Sequence, residues 1–371
     1  MLVKNGVAFI DGRFTRADVR LAAGRIAEIG ELAPLPGEEI RDAAGLYVLP
    51  GFVDIHIHAF GGYDCMRGED DVRAMSEGLL QTGVAAFAPT TMSAWPDETR
   101  EALKGIQAVM DKPCARGAAV LGAHMEAPFL SPAHKGAQLA ECLQMPSVQA
   151  YEKMAGGLHC VKLMTLAPEL PGAIELTKYL VSRGVTVCAA HTDAKAADVQ
   201  AAADAGLSQI THLFNAQTPL HHREPGVPGA GLADERITVQ VIADGIHLHP
   251  DVLRIAALCK GARGVALISD SMEAAGLPDG QYDLGGQAVY VRDGAARLAN
   301  GVLAGSTLML HQAVRNMITL AKIAPEQVIP MATSTPADSV GAKGFGRLEP
   351  GAAGVLALMD AQWALAGVVT G

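Results

Sequence analysis

Aromatic side chains are scarce in this sequence: Phe, Trp and Tyr together make up only 4% of it. That excludes a module that binds its ligand on an aromatic platform. Basic runs are missing too, and with a formal net charge of −10 bulk attraction to nucleic acid or to an anionic membrane is excluded. No stretch offers the roughly 18 uninterrupted apolar residues that a membrane-spanning helix needs. The N-terminus, Met1 to Gly6, lacks a charged region followed by an apolar core and a small-residue cleavage site, so no export signal is expected. Cys65, Cys114, Cys142, Cys160, Cys188 and Cys259 are scattered without any Cys-x-x-Cys pair. They read as reduced, mostly core-filling thiols of a cytoplasmic protein. No Gly-x-Gly-x-x-Gly follows the first long apolar run, which counts against a doubly wound dinucleotide-binding sheet.

What the chain does have is length and small apolar residues. Half of its 371 residues are hydrophobic and 41 are glycine, a texture suited to helices packed on a parallel sheet. Residues 1–49 carry short strand signals broken by turns: Val7 to Ile10, Asp11-Gly12, Ala17 to Leu21, Gly24-Arg25, Ile26 to Ile29. Asp-Gly between β-prone runs signals a hairpin. The same texture returns in residues 345–371, so the two ends are expected to form one small β-sandwich module flanking a catalytic unit over 50–344.

Between them a pattern repeats: a short apolar run, a polar or Gly-rich loop, then a helical stretch. The apolar runs are Val53 to His58, Val84 to Pro89, Ala118 to Glu126, Val161 to Ala167, Val185 to His191, Gln209 to His212, Ile237 to Asp244 and Val265 to Asp270. Helices are expected over 70–81, 97–110, 172–183, 194–205, 250–260 and, last, 306–320. Gly83, Gly117, Gly184 and Gly206 stand where left-handed helix ends are wanted. Eight strands alternating with helices specify a (β/α)8 TIM-type barrel, an α/β fold. The segment from Asp279 to Gly301, with Asp293-Gly294 inside it, reads as a hairpin inserted after the eighth strand.

The barrel gives the polar residues a meaning, because such folds carry their chemistry at the C-terminal strand ends. Strand one ends in His56-Ile57-His58, and the two-residue repeat of a strand puts both imidazoles on one face. Strand three ends in His124-Met125-Glu126, strand five in His191, strand six in His212, strand eight in Ser269-Asp270. Unpaired histidines and carboxylates in a barrel core cost several kcal/mol each, so their convergence at matching strand ends points to a metal centre. His124 reads as core or supporting rather than as a ligand, because Glu126 lies two residues nearer the strand end. Lys162 stands at the wrong end of its strand to bridge metals.

These residues resemble the amidohydrolase superfamily. More narrowly, His124 to Phe129, Thr211 to Ala216, Arg223-Glu224-Pro225-Gly226, Ala243 to His247, Ser269 to Met272 and Leu303 to Ser306 resemble the N-acetylglucosamine-6-phosphate deacetylase family. The resemblance covers nearly the whole chain. It implies hydrolysis of the N-acetyl group of a 6-phosphorylated amino sugar by a cytoplasmic homodimer. It further implies a divalent transition metal (Zn, Fe, Mn, Co or Ni), one or two per chain. Glu126, His191 and His212 would hold one ion, with a second at His56, His58 and Glu126, Asp270 being a further candidate ligand there. Asp270 would be the general base and acid. Asn215, Ala216 and Arg223 would hold the phosphate, Arg223 reaching in from a partner subunit; His247 would touch sugar or phosphate, and Leu303 and Gly305 would line the acetyl pocket. Gln138 stands where some relatives use a histidine on the substrate carbonyl, and Ala127 where a glycine is common. The alternatives are the galactosamine epimer, another N-acyl amine, or a non-catalytic sugar-phosphate sensor, which would not require Asp270.

Overall fold

A computed structural model describes the whole chain, residues 1–371. Eight parallel strands form the barrel: β1 (Phe52–Ile57), β2 (Val84–Thr91), β3 (Ala123–Met125), β4 (Val161–Leu166), β5 (Thr186–Ala189), β6 (Gln209–Ile210), β7 (Thr238–Ile242) and β8 (Val265–Ile268). Each pairs in parallel with the next in sequence. The ring closes between β8 and β1 through backbone bonds just past the strand ends. Asp270 N–H donates to His56 O at 2.9 Å, and His58 and Ala59 N–H both donate to Ser271 O at 3.0 Å.

A helix follows every strand: α1 (Glu69–Gln81), α2 (Pro96–Asp111), α3 (Val148–Ala155), α4 (Ala173–Ser182), α5 (Ala196–Asp204), α6 (Gly226–Ala233), α7 (Pro250–Gly264) and α8 (Leu310–Thr319). Two short helices, α9 (Pro325–Ala332) and α10 (Ser334–Ser339), complete the shell. Because barrel strands are covered inside and out, β1 and β2 are buried at every position. Fully buried Phe52 and Phe87 each contribute about 1.5–3 kcal/mol of apolar burial. Three acidic residues open α1 (Glu69, Asp70, Asp71), where negative charge meets the positive end of the helix dipole.

The terminal segments form two further sheets. Val7–Ile10, Arg13–Arg16, Tyr47–Pro50, Val355–Met359 and Leu365–Thr370 make a five-stranded one; Leu2–Lys4, Asp18–Ala22, Arg25–Gly30 and Ile40–Asp42 make a four-stranded one. Side-chain alternation divides the five-stranded sheet between two cores. Ala8, Val48, Leu356 and Leu358 face the smaller sheet, whereas Phe9, Leu49, Ala357 and Met359 join the barrel's core. Four of the scarce aromatics meet at that junction, with Tyr47 stacked on Trp363 (centroids 4.5 Å apart) and Phe14 tilted against both and against Phe9.

Several expectations change. Asp11 and Gly12 take φ of 47° and 79°, the hairpin geometry that Asp-Gly predicts. The insert after β8, however, has three antiparallel strands, Gly280–Leu284, Gln287–Arg292 and Ala295–Leu298, because Gly285-Gly286 makes a second two-residue turn. Gly83, Gly184 and Gly206 are left-handed; Gly117 is not, and is glycine for room, since a Cβ there would stand 2.1 Å from Ser76 Oγ. The last barrel helix begins at Leu310 and not at Ser306. Ser306 is tied to the end of β8 instead, its N–H donating to Asp270 O (2.8 Å) and its hydroxyl to Ser269 O (2.6 Å).

Candidate active site

The C-terminal ends of the barrel strands open into a cavity of about 260 Å³. That is small beside typical ligand pockets of ~300–1,000 Å³ and suits a small metabolite. His58, Glu126, Gln138, His191, His212, Asn215, Ala216, His247, Asp270, Leu303 and Gly305 line it, with His56 fully buried behind them. Thus β1, β3, β5, β6 and β8 deliver every expected ligand and the expected base to one place. Three of these residues share a backbone device. His191, His212 and Asp270 have φ of 49°, 30° and 50°, a left-handed turn that costs about 1–3 kcal/mol at a non-glycine residue. It ends β5, β6 and β8 and leaves all three side chains in the barrel mouth.

Seven donor atoms from six side chains converge there. His56 Nε2 and His58 Nε2 are 3.4 Å apart, and His191 Nε2 and His212 Nε2 are 3.2 Å apart. Two ligands held at ~2.0–2.1 Å on a tetrahedral ion stand about 3.3–3.4 Å from each other, so both pairs have the spacing of a ligand pair. Glu126 lies between them: Oε1 is 3.2 Å from His191, 2.9 Å from His212 and 3.6 Å from His56, and Oε2 is 3.4 Å from His58. Asp270 Oδ1 is 3.3 Å from His56 Nε2 and 3.2 Å from His58 Nε2. Two overlapping groups therefore could hold an ion, His56/His58/Glu126 and Glu126/His191/His212, with Glu126 shared.

The outer ring nitrogens show what faces inward. His58 Nδ1 lies 2.9 Å from Thr90 O, His191 Nδ1 2.9 Å from His134 O, and His56 Nδ1 3.2 Å from Gln240 Oε1. Each outer partner is an oxygen acceptor, so each Nδ1 carries the proton and each Nε2 turns a lone pair toward the centre. His212 Nδ1 is buried without a partner in the chain. Lone pairs facing one another and two carboxylates, on side chains that are all buried, require positive charge.

In the chain alone that charge comes from protons. Burial opposes it on His58, but the bond to Asp270 and the charges of Glu126 and Asp270 prevail and raise His58 to about 9. His56 is raised by the same two carboxylates against the same burial. Burial works to raise Glu126 and Asp270, yet the neighbouring imidazoles, His56 foremost, hold both well below the usual carboxylate range. A bound cation supplies the charge equally well, and the donor set fits a transition metal.

The remaining residues separate clearly. His124 has both nitrogens engaged, on Ile55 O (3.2 Å) and Thr165 Oγ1 (2.8 Å), and has none left for an ion. Gln138 Nε2 donates to Glu126 Oε2 (2.8 Å) and its Oε1 accepts from Ser93 N–H (2.7 Å). Within the chain its amide is thus held against the shared carboxylate, at the wall of the cavity it lines. His247 Nδ1 lies 2.6 Å from Asp244 Oδ2. Arg223 is exposed and does not line the cavity of its own chain. The sequence reasoning missed His134, whose carbonyl orients His191, and Gln240. A lone amide inside the apolar run Val239 to Ala243 is the signal that marks Gln240.

Comparison with known proteins agrees with this geometry. The amidohydrolase family model matches residues 47–369. The chain is 38% identical to an N-acetylgalactosamine-6-phosphate deacetylase of Escherichia coli O157:H7, over 92% of this chain and 90% of that protein. It is 36% identical to an N-acetylglucosamine-6-phosphate deacetylase of Lysinibacillus sphaericus, over 95% and 91%. Among solved structures it superposes at a TM-score of 0.93, with 29% identity, on a variant N-acetyl-D-glucosamine-6-phosphate deacetylase of Mycobacterium smegmatis in complex with N-acetyl-D-glucosamine-6-phosphate. That alignment covers 100% of this chain and 97% of that one. With a barrel, two overlapping groups of metal-ligating side chains at its mouth and a family match from Tyr47 to Val369, the chain belongs to the amidohydrolase family.

Proposed function

We propose that this chain removes the N-acetyl group of N-acetylglucosamine 6-phosphate, giving glucosamine 6-phosphate and acetate, in cytoplasmic amino-sugar catabolism. The observation that carries the reading is the convergence of Glu126, four imidazoles and Asp270 at one small cavity. The named relatives supply the substrate class. The galactosamine epimer is the second reading, favoured by the 38% identity to the Escherichia coli O157:H7 protein. The catalytic unit is the barrel, residues 50–344, braced by the β module of 1–49 and 345–371.

Amide hydrolysis needs a nucleophile at neutral pH, stabilisation of a developing oxyanion, and a proton for the departing amine. Glu126, His191 and His212 would hold one transition-metal ion, and His56, His58 and Glu126 a second. Such ions acidify water toward a pKa of ~7 and polarise carbonyl oxygens. Asp270, kept ionised by its neighbours, is suited to take a proton from water and pass it to the leaving nitrogen. Leu303 and Gly305, beside Met92 and Val302, offer the acetyl methyl an apolar wall.

For the phosphate the cavity lining offers His247 and the Asn215–Ala216 turn, but no lysine or arginine. Phe214 and Ala216 have φ of 75° and 50°, a curl of backbone of the kind that cradles anions. An arginine from outside the lining would complete such a site, and Arg223 of a second copy is the residue proposed for it, in a homodimer.

Acetate release from both N-acetylhexosamine 6-phosphates and from unphosphorylated N-acetylglucosamine tests the reading. Turnover of the glucosamine phosphosugar, at least about tenfold above its epimer and with little from the free sugar, supports it. Preference for the epimer selects the second reading. Release from neither phosphosugar by metal-loaded protein contradicts both.

A further inference from the structure

Two buried amides in the barrel interior, anchored on a carbonyl at the end of α10, form a directed chain that ends on a proposed metal ligand. Gln209 Nε2 donates to Ser339 O, at the end of α10, across 3.4 Å. A main-chain carbonyl only accepts, so the Gln209 NH2 group must face it, and Gln209 Oε1 must face the other way. That oxygen accepts from Gln240 Nε2 at 2.9 Å. The amide of Gln240 is thereby oriented as well, and its Oε1 is turned to His56 Nδ1, 3.2 Å away. Gln209, Gln240 and His56 are each 0% exposed, so no water competes for the two bonds that join them.

We infer that Gln240 is a positioning residue, which holds His56 with its proton on Nδ1 and its Nε2 lone pair on the metal centre. The direction of the chain is set at Ser339, a carbonyl on the barrel's outer helices, and relayed inward through Gln209. This inference rests on the reading that His56, His58 and Glu126 hold an ion. Outer partners of ligating imidazoles change metal affinity by roughly 10–100-fold when removed. The other centre is served differently: His191 Nδ1–H donates its outer bond to His134 O. The two centres should therefore respond separately to a change at Gln240.

The test is titration of metal-free protein with Co2+ against a competing chelator, for the wild type and for Gln240→Met, Gln209→Met and His56→Asn. Methionine keeps the length of glutamine and removes its carbonyl oxygen. The expected result is two classes of site in the wild type. One of them, the class lost in His56→Asn, is weakened about 10–100-fold in Gln240→Met, while the other moves less than about twofold. Gln209→Met, which leaves Gln240 in place but free to rotate, should weaken the same class by less, and serves if Gln240→Met does not fold. Two classes that Gln240→Met leaves unchanged, or weakens alike, overturn the inference alone. A single class in the wild type that survives His56→Asn overturns it together with the two-ion reading.

Discussion

Asp270 and His56 are joined twice: the backbone N–H of Asp270 donates to His56 O at 2.9 Å, and its Oδ1 stands 3.3 Å from His56 Nε2. The first contact helps to close the barrel between β8 and β1, and the second helps to build the site. The same two residues therefore serve both the closure of the fold and the donor set. Ligands that bind only the folded chain stabilise it, by about 4 kcal/mol at a thousandfold excess over Kd. Removal of metal by a chelator should lower the melting temperature by several degrees, and His212→Asn should shrink that difference. Scanning calorimetry with and without added ion checks it.

Gln138 offers a prediction that separates it from a substrate contact. Its amide holds Glu126 Oε2 at 2.8 Å and is itself held by Ser93 N–H. Gln138→Leu leaves that carboxylate oxygen without its neutral donor, so metal affinity should fall roughly 10–100-fold. A variant that binds metal normally and changes only KM would assign Gln138 to the substrate instead.

The barrel and most of the site were legible because both follow short rules. Strand alternation pairs His56 with His58, and the barrel places Glu126, His191, His212 and Asp270 at one mouth from strand ends far apart in sequence. What was not legible depends on contacts no local pattern encodes. The bond from His191 to His134 O spans 57 residues, and that from His56 to Gln240 spans 184. Helix α6, Gly226–Ala233, is rich in glycine and contains Pro228, so propensity hid it; tertiary packing of Val227 and Pro228, both buried, maintains it. The third strand of the insert was missed because Gly285-Gly286 was not read as a turn.

His247 and Asp244 give the pH dependence. Burial works to lower His247, but the hydrogen bond and charge of Asp244, with help from Asp270 and against Arg297, raise it above its ordinary value. The pair's stabilisation through His247 is fully present below the ordinary histidine pKa of about 6.5 and is lost as pH rises through the raised value. A cationic His247 also favours an anionic substrate over the same range. KM for the phosphosugar should therefore increase as pH rises through that raised value, and Asp244→Asn should move the increase to lower pH. Initial rates from pH 5.5 to 9 measure both.

Arg223 is exposed in its own chain, and the cavity lining lacks a fixed cation. Arg223→Ala should raise KM for the phosphosugar roughly 10–100-fold, the worth of a charge-assisted hydrogen bond of ~1.5–3 kcal/mol, and leave the rate on unphosphorylated sugar unchanged. Sedimentation should show a dimer. A fully active monomer would remove the need for a second copy.

The central claim is that Asp270 moves the proton in an amide hydrolysis at this cavity. Its most direct test is acetate release by metal-loaded wild type and by Asp270→Asn with its ion content confirmed, on the better of the two phosphosugars. General acid–base groups contribute ~10²–10⁴-fold, so the account predicts at least a hundredfold loss of turnover with metal retained. An Asp270→Asn protein that holds its metal and turns over at the wild-type rate would contradict it.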